Sequence, residues 1–196
     1  MARWEPDSRG RLRRAALELY GERGFEQTTV AEIAARAGLT ERTFFRQFAD
    51  KREVLFAGSE ALEQRLVEAV AEAPDPLSPI AAVARGLEAV GAALPARELA
   101  RARQEVIAAN AELRERELAK LASLAAALAK ALRERGLEES HASLAAEVGI
   151  AVFRVAFEGW IDASEDREFA ELVGDALDRL RALAAEAGPS AAVGGA

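Results

Sequence analysis

Thr29-Val30-Ala31-Glu32-Ile33-Ala34-Ala35-Arg36-Ala37-Gly38-Leu39-Thr40-Glu41-Arg42-Thr43-Phe44-Phe45-Arg46-Gln47-Phe48 is the stretch on which the fold turns. Thr29 and Glu32 have the spacing of a capping box, so a short helix is expected from Val30, and Gly38 stands where it should stop. Thr40 then offers an N-cap for a second helix, with Leu39 and Phe44 placed as a hydrophobic staple. Helices this short are marginal in water, so Ile33, Ala34, Leu39, Phe44 and Phe48 must pack on neighbouring elements. That leaves Glu41, Arg42, Thr43, Phe45, Arg46 and Gln47 exposed on the second helix. Arginine can take guanine in a bidentate manner, glutamine can pair with adenine, and threonine offers a methyl or a hydroxyl, so the set suits the major groove of DNA. A short helical pair with a glycine turn also occurs in proteins that never touch DNA, and the spacing alone leaves both readings open.

Working outward, Leu12, Ala15, Ala16, Leu19 and Tyr20 recur at helical spacing in 8–23, and Gly24 can end that helix. Asp50 and Glu53 have capping-box spacing and predict a longer helix from there through about Glu72. Ala73-Pro74-Asp75-Pro76-Leu77-Ser78-Pro79 cannot continue it and forms a stiff connection. Beyond it, helices are expected at about 80–94, 97–109, 111–135, 141–163 and 166–187, and the Gly- and Ala-rich residues 188–196 should be disordered. The expected class is all-α with about nine helices. A three-helix helix-turn-helix head at 8–56, with its motif at about 29–48, precedes a larger helical domain at 57–187.

The formal charge of −7 is unevenly spread: residues 1–56 carry +2 and the rest −9, so any DNA contact is confined to the head. Charges recur too often for a membrane-spanning helix, there is no cysteine, and Met1-Ala2-Arg3-Trp4-Glu5-Pro6-Asp7 lacks the apolar core of a secretory signal, so a cytoplasmic location is expected. The single histidine, His141, has no second histidine or cysteine with which to share a metal, and no phosphate loop or nucleophile elbow is present. Neither an enzyme nor a cofactor is expected.

Residues 11–56 resemble the N-terminal domain of the tetracycline-repressor (TetR) family. The likeness rests on Gly24-Phe25, Thr28-Thr29-Val30, Ile33-Ala34, Gly38-Leu39-Thr40, Phe44-Phe45-Arg46-Gln47-Phe48 and Lys51. It implies a sequence-specific transcriptional regulator, usually a repressor, that binds operator DNA as a homodimer and leaves it when a small molecule binds. The alternative is a helical structural or partner-binding protein whose head no longer reads sequence. By the resemblance, Thr29 and Thr40 are expected at phosphates, Arg42, Thr43, Arg46 and Gln47 at bases, and Phe45 and Lys51 at the backbone, with Glu41 on the same face. Free N–H groups at the starts of the second, third and fourth helices would add phosphate contacts. The chain departs from the commonest family form at Phe45 and Arg46; without a hydroxyl, Phe45 can pack only on sugar or a thymine methyl.

Family members dimerise through their last two helices. Here Val148, Ala151, Val152 and Val155, with Phe169, Leu172, Val173, Ala176, Leu177 and Leu180, supply the apolar stripes expected at that contact. Phe153, Phe157 and Trp160 fall on one helical face and Leu121, Leu124 and Leu128 on another; they are the candidate walls of a site for a small hydrophobic effector. The segment from Asn110 to Leu124 resembles the C-terminal domain of mycofactocin-regulator-type members, which points to an acyl-chain effector.

Overall fold

The computed structural model describes residues 7–162 and 167–186, so the expected disordered tail at 188–196 lies outside the described residues. Among those described there are nine α-helices and no strand. They are α1 (Ser8–Arg23), α2 (Val30–Arg36), α3 (Glu41–Gln47), α4 (Ser59–Ala71), α5 (Pro79–Gly91), α6 (Arg97–Ala109), α7 (Ala111–Glu134), α8 (Glu139–Asp162) and α9 (Phe169–Glu186). None is long and apolar enough to cross a membrane.

The fourth helix begins at Ser59 rather than next to Asp50, and the reason is burial. Val54, Leu55 and Phe56 are all buried, yet consecutive residues of an α-helix point about 100° apart and cannot share one inward face. The chain solves this with tight turns: Leu55 N–H donates to Arg52 O and Phe56 N–H to Glu53 O. Asp50 does act as a cap, but of the turn, accepting from the backbone N–H of Arg52 at 2.8 Å and of Glu53 at 3.0 Å. Gly58, at φ +92°, then redirects the backbone into α4.

The helices divide into two compact units, and the division differs from the boundary expected after residue 56. The first unit holds residues up to Glu63 together with Pro95–Ala122; the second holds Gln64–Leu94 and the chain from Ser123 onward. In the first, α1 packs on α2 and α6, and α2 on α3. Its apolar core joins Leu12, Leu19, Ile33, Phe44, Phe48 and Phe56 to Val106, Ile107 and Leu113 of α6 and α7. In the second, α5, α8 and α9 pack on one another. Its helices approach closely at small residues. A Cβ on Gly149 of α8 would come within 2.7 Å of Val83, and one on Gly91 of α5 within 2.6 Å of the Phe169 ring. Arg135, just beyond α7, closes the end of α4, donating to the carbonyls of Val70, Ala71, Ala73 and Pro74. Val70 O and Pro74 O also accept backbone N–H groups, from Ala73 and Leu77, so Arg135 adds to those bonds and supplies a donor to Ala71 O and Ala73 O as the proline segment begins.

The α4–α5 contact is crowded by backbone as well as side chain. A Cβ on Gly86 would stand 2.7 Å from Leu66 Cδ1, 2.8 Å from Val70 Cγ2 and 3.2 Å from the Leu66 carbonyl oxygen. Crowding of this kind costs about 1–3 kcal/mol, which outweighs the gain of about 1 kcal/mol that alanine brings to a helix. Gly86→Ala should therefore lower the urea midpoint. Gly21→Ala in α1, where a Cβ meets nothing within 4 Å, should raise it; the same sign for both would refute this packing.

Candidate nucleic-acid interface

The turn between α2 and α3 is set by backbone chemistry. Leu39 N–H donates to Ala34 O at 2.8 Å and Gly38 N–H to Ala35 O at 3.0 Å, with Gly38 at φ +67°. This is the paired bonding of a Schellman motif, which needs a left-handed residue after the cap. Arg11 of α1 reaches across to the same turn, its guanidinium donating to Ala37 O. Both helices start as expected: Thr29 and Glu32 form the full capping box, and Thr40 Oγ1 accepts from Thr43 N–H at 3.2 Å.

Beneath the pair lies a clamp built around Lys51. Its ammonium donates to the carbonyls of Phe25 at 2.8 Å, Glu26 at 3.2 Å and Thr28 at 3.1 Å, and sits 4.4 Å from the Phe25 ring centroid. Tyr20 donates its hydroxyl proton to Lys51 O at 2.7 Å and meets Phe25 edge-on. Burial, and then the charge of Asp50, push the Tyr20 phenol well above its ordinary range, so it remains a donor throughout the physiological pH range. Thr28, buried, donates to Gly24 O at 2.9 Å. The loop that delivers the chain to α2 is thus pinned by one ammonium at the carbonyls of Phe25, Glu26 and Thr28.

On α3 the inward and outward faces divide as the sequence implied for Phe44 and Phe48, which are buried. Glu41, Arg42, Phe45 and Arg46 are exposed, and Thr43 and Gln47 half-buried. Among the described residues neither the Arg42 nor the Arg46 guanidinium has a hydrogen-bond or ion-pair partner, whereas Arg23 and Arg36 bind Glu32 and Glu22. Phe45 is 56% exposed, with its ring set edge-on against buried Phe44 at 5.5 Å.

Three groups expected at DNA already have partners within the chain. All three protons of Lys51 already have carbonyl acceptors, so its side chain holds the loop rather than reaching outward. The Thr29 hydroxyl donates to Glu32 Oε2 at 2.8 Å, and the Thr40 hydroxyl meets Thr43 Oγ1 at 3.1 Å, so both serve their own caps. The N–H groups expected free at the start of a fourth helix are those that the Asp50 carboxylate binds. Sequence reasoning also missed Arg11, because its partner is a backbone carbonyl 26 residues away and leaves no side-chain signal.

The residues expected at the dimer contact separate into two groups. Val152, Phe169, Val173, Ala176 and Leu177 are buried within the second unit itself and are core. Phe169 is turned inward, across Gly91 and against Phe153 and Trp160. Ala151 and Val155 are exposed, and Val148, Leu172 and Leu180 half-buried. Leu144, not singled out from sequence, is 65% exposed, and Leu183, further along the same apolar stripe of the last helix, 64%. Of the expected effector-site residues, Phe153, Phe157 and Trp160 form one aromatic cluster, with centroids 5.7 Å apart in the first pair and 5.9 Å in the second. Leu128 is buried in the same unit, Leu124 half-buried there, and Leu121 belongs to the first unit.

Comparison with known proteins places this geometry. Residues 12–57 match the model of the bacterial regulatory proteins, tetR family. Over 83 residues the chain is 37% identical to the HTH-type transcriptional regulator TcmR of Streptomyces glaucescens, a match that spans 42% of this chain and 37% of that protein. Among solved structures, FadR of Thermus thermophilus, a TetR-family repressor in complex with lauroyl-CoA, is 25% identical with a TM-score of 0.55, covering 95% of this chain and all of that one. SmeT of Stenotrophomonas maltophilia, solved with triclosan, has the same fold at a TM-score of 0.63 and 24% identity, with 90% of each chain covered. Its head thus matches the tetR family of bacterial regulatory proteins, and along nearly all its length the chain shares the fold of the Thermus thermophilus repressor.

Proposed function

We propose that the chain is an operator-binding repressor that works as a homodimer and leaves DNA when a small effector binds. The observation that carries this reading is α3. Two unpartnered guanidiniums, Arg42 and Arg46, flank an exposed apolar ring on a helix whose other face is locked into a core. Charged side chains held without partners on a rigid helix are what groove recognition requires. Arg42, Arg46 and Gln47 are assigned to base edges, with Thr43 beside them and Phe45 on a thymine methyl or sugar. Lys51, Tyr20 and Arg11 are assigned to holding that helix in place. The dimer contact is assigned to the α8 face made by Leu144, Val148, Ala151 and Val155, together with Leu172, Leu180 and Leu183 of α9.

The effector reading rests on the second unit. The aromatic cluster of Phe153, Phe157 and Trp160 lies in the second unit, and the FadR and SmeT structures hold an acyl-CoA and triclosan, both carrying a large apolar part. A hydrophobic ligand, with an acyl chain as the first candidate, fits these facts. α4 and α7 each contribute residues to both units, which gives ligand-induced repacking a covalent route to the head.

Fluorescence anisotropy with duplexes from the DNA flanking the gene, and a scrambled control, tests the assignment. Arg46→Ala should weaken the preferred duplex by about 10- to 100-fold and the control far less. Lys51→Met should weaken both duplexes together and also lower the unfolding midpoint, since it leaves three carbonyls without their donor. Equal losses on both duplexes for Arg46→Ala would remove α3 as the reading element.

Val155→Glu, which puts a charge into the exposed α8 stripe, should convert a dimer to monomers in sedimentation equilibrium while leaving the helical circular-dichroism signal unchanged. A wild-type chain that sediments as a monomer at micromolar concentration would remove the assigned interface.

A further inference from the structure

Around Phe56 the first unit collects more positive charge than its carboxylates answer. The buried Phe56 ring has the Arg103 guanidinium 5.2 Å from its centroid, Arg116 at 5.9 Å and the Lys120 ammonium at 5.8 Å. Arg103 comes from α6; Arg116 and Lys120 lie one turn apart on α7. The neighbouring carboxylates are already engaged. Arg52 takes Asp50 and Glu112, Arg116 takes Glu53, and Arg103 takes Glu117 at 3.0 Å, with Gln104 donating to the second oxygen of Glu117.

Two cations are left over. Among the described residues neither Lys120 nor Arg13 of α1 has a carboxylate within ion-pair distance, and Lys120 is half-buried. Arg13 lies close enough to Arg103 that its charge adds to burial in holding the Arg103 pKa below the ordinary arginine value. There is also an unmet donor: Arg116 Nε is buried and has no hydrogen-bond partner. A buried unsatisfied donor is unfavourable, and a cation over a ring offsets only part of that cost at a partly exposed site. Like charges from three helices, with a donor left unused among them, are what an anionic oxygen group would satisfy.

We propose that this cluster is a binding site for a carboxylate or phosphate group, held by Arg116 and Lys120 beside the Phe56 ring. Resting on the reading of the chain as effector-responsive, it names the charged part of the effector class: an amphiphile with an anionic end. An oxygen anion here receives the Arg116 Nε proton and the Lys120 ammonium. It does so on the element, 50–56, that carries Lys51 and therefore the clamp under α2. The site lies wholly within the first unit and is made by side chains other than those assigned to DNA.

Isothermal titration of the full chain, at fixed ionic strength and without DNA, tests it with two probes. Sodium pyrophosphate represents the phosphate source and sodium decanoate the carboxylate source. At least one should bind the wild type, and the stronger identifies the headgroup. Lys120→Gln should weaken that probe about tenfold, the loss of one charge-assisted contact. Lys130→Gln, at an exposed lysine further along α7 that pairs with Glu134, should leave it unchanged. Circular-dichroism melts of the variants separate a lost contact from a lost fold. The inference is overturned if neither probe binds the wild type, or if Lys120→Gln binds as tightly as Lys130→Gln. Since no DNA is present, a chain that failed to bind its operator would leave this titration standing. An operator binder without anion affinity would overturn this inference alone.

Discussion

Ile107 and Leu113, donated by α6 and α7 to the core beneath the helix-turn-helix, are the contact on which the rest depends. A segment of about 60 residues buries only some 60% of the surface that its unfolded chain exposes, which leaves little margin for folding alone. Within the head, α2 and α3 have seven residues each, too few to persist without tertiary support. Phe44, Phe48 and Phe56 find that support on a core that α6 and α7 help to close. The rigidity of α3 is therefore borrowed from residues far along the chain. Whatever alters α6 or the first half of α7 acts on the same core.

The polar layer over that core is built on unequal terms. Arg103, whose guanidinium burial pushes its pKa down, donates from Nε to Leu55 O at 2.7 Å and from Nη1 to Glu117. A buried charge is tolerable only when its donors are met. Arg103 meets that condition by gripping the backbone of the turn that replaces the start of the expected fourth helix. Those turns, in which Val54, Leu55 and Phe56 go inward together, offer Leu55 O to a side chain because it is not spent on an α-helical bond. The same irregularity thus buries three apolar residues and gives an arginine from α6 its anchor.

Local signals carried much of this into the sequence. Caps at Thr29 and Thr40 and stops at Gly24 and Gly38 were visible because each depends on a residue's own chemistry and its near neighbours. α1 and α6 likewise occupy the spans that apolar spacing and flanking residues predicted. The start of α4 was misplaced because Asp50 and Glu53 have a capping box's spacing, while the path of the chain from Val54 to Gly58 is decided by enclosure on several sides. Five residues expected at the dimer contact lie in the core for a related reason. Val173 and Leu177 stand on an apolar stripe wide enough for a dimer contact, but stripe width does not say whether a partner helix comes from the same chain. α5 and α8 cover part of it.

Lys51 shows the same limit at a single residue. A lysine beside a recognition helix in a DNA-binding head invites a phosphate contact, since its charge and reach fit one. An ammonium has three protons, and here three carbonyls at 2.8–3.2 Å receive them, with an aromatic face completing the shell. Extracting that group to meet a phosphate would leave the carbonyls of Phe25, Glu26 and Thr28 without their donor, at a cost comparable to the stabilisation that the phosphate would return. Arg42 and Arg46 face no such loss, being exposed and unpaired. The positive charge that this face leaves unpaired is thus decided by what each cation already binds, and it is smaller than the head's count of arginines and lysines suggests.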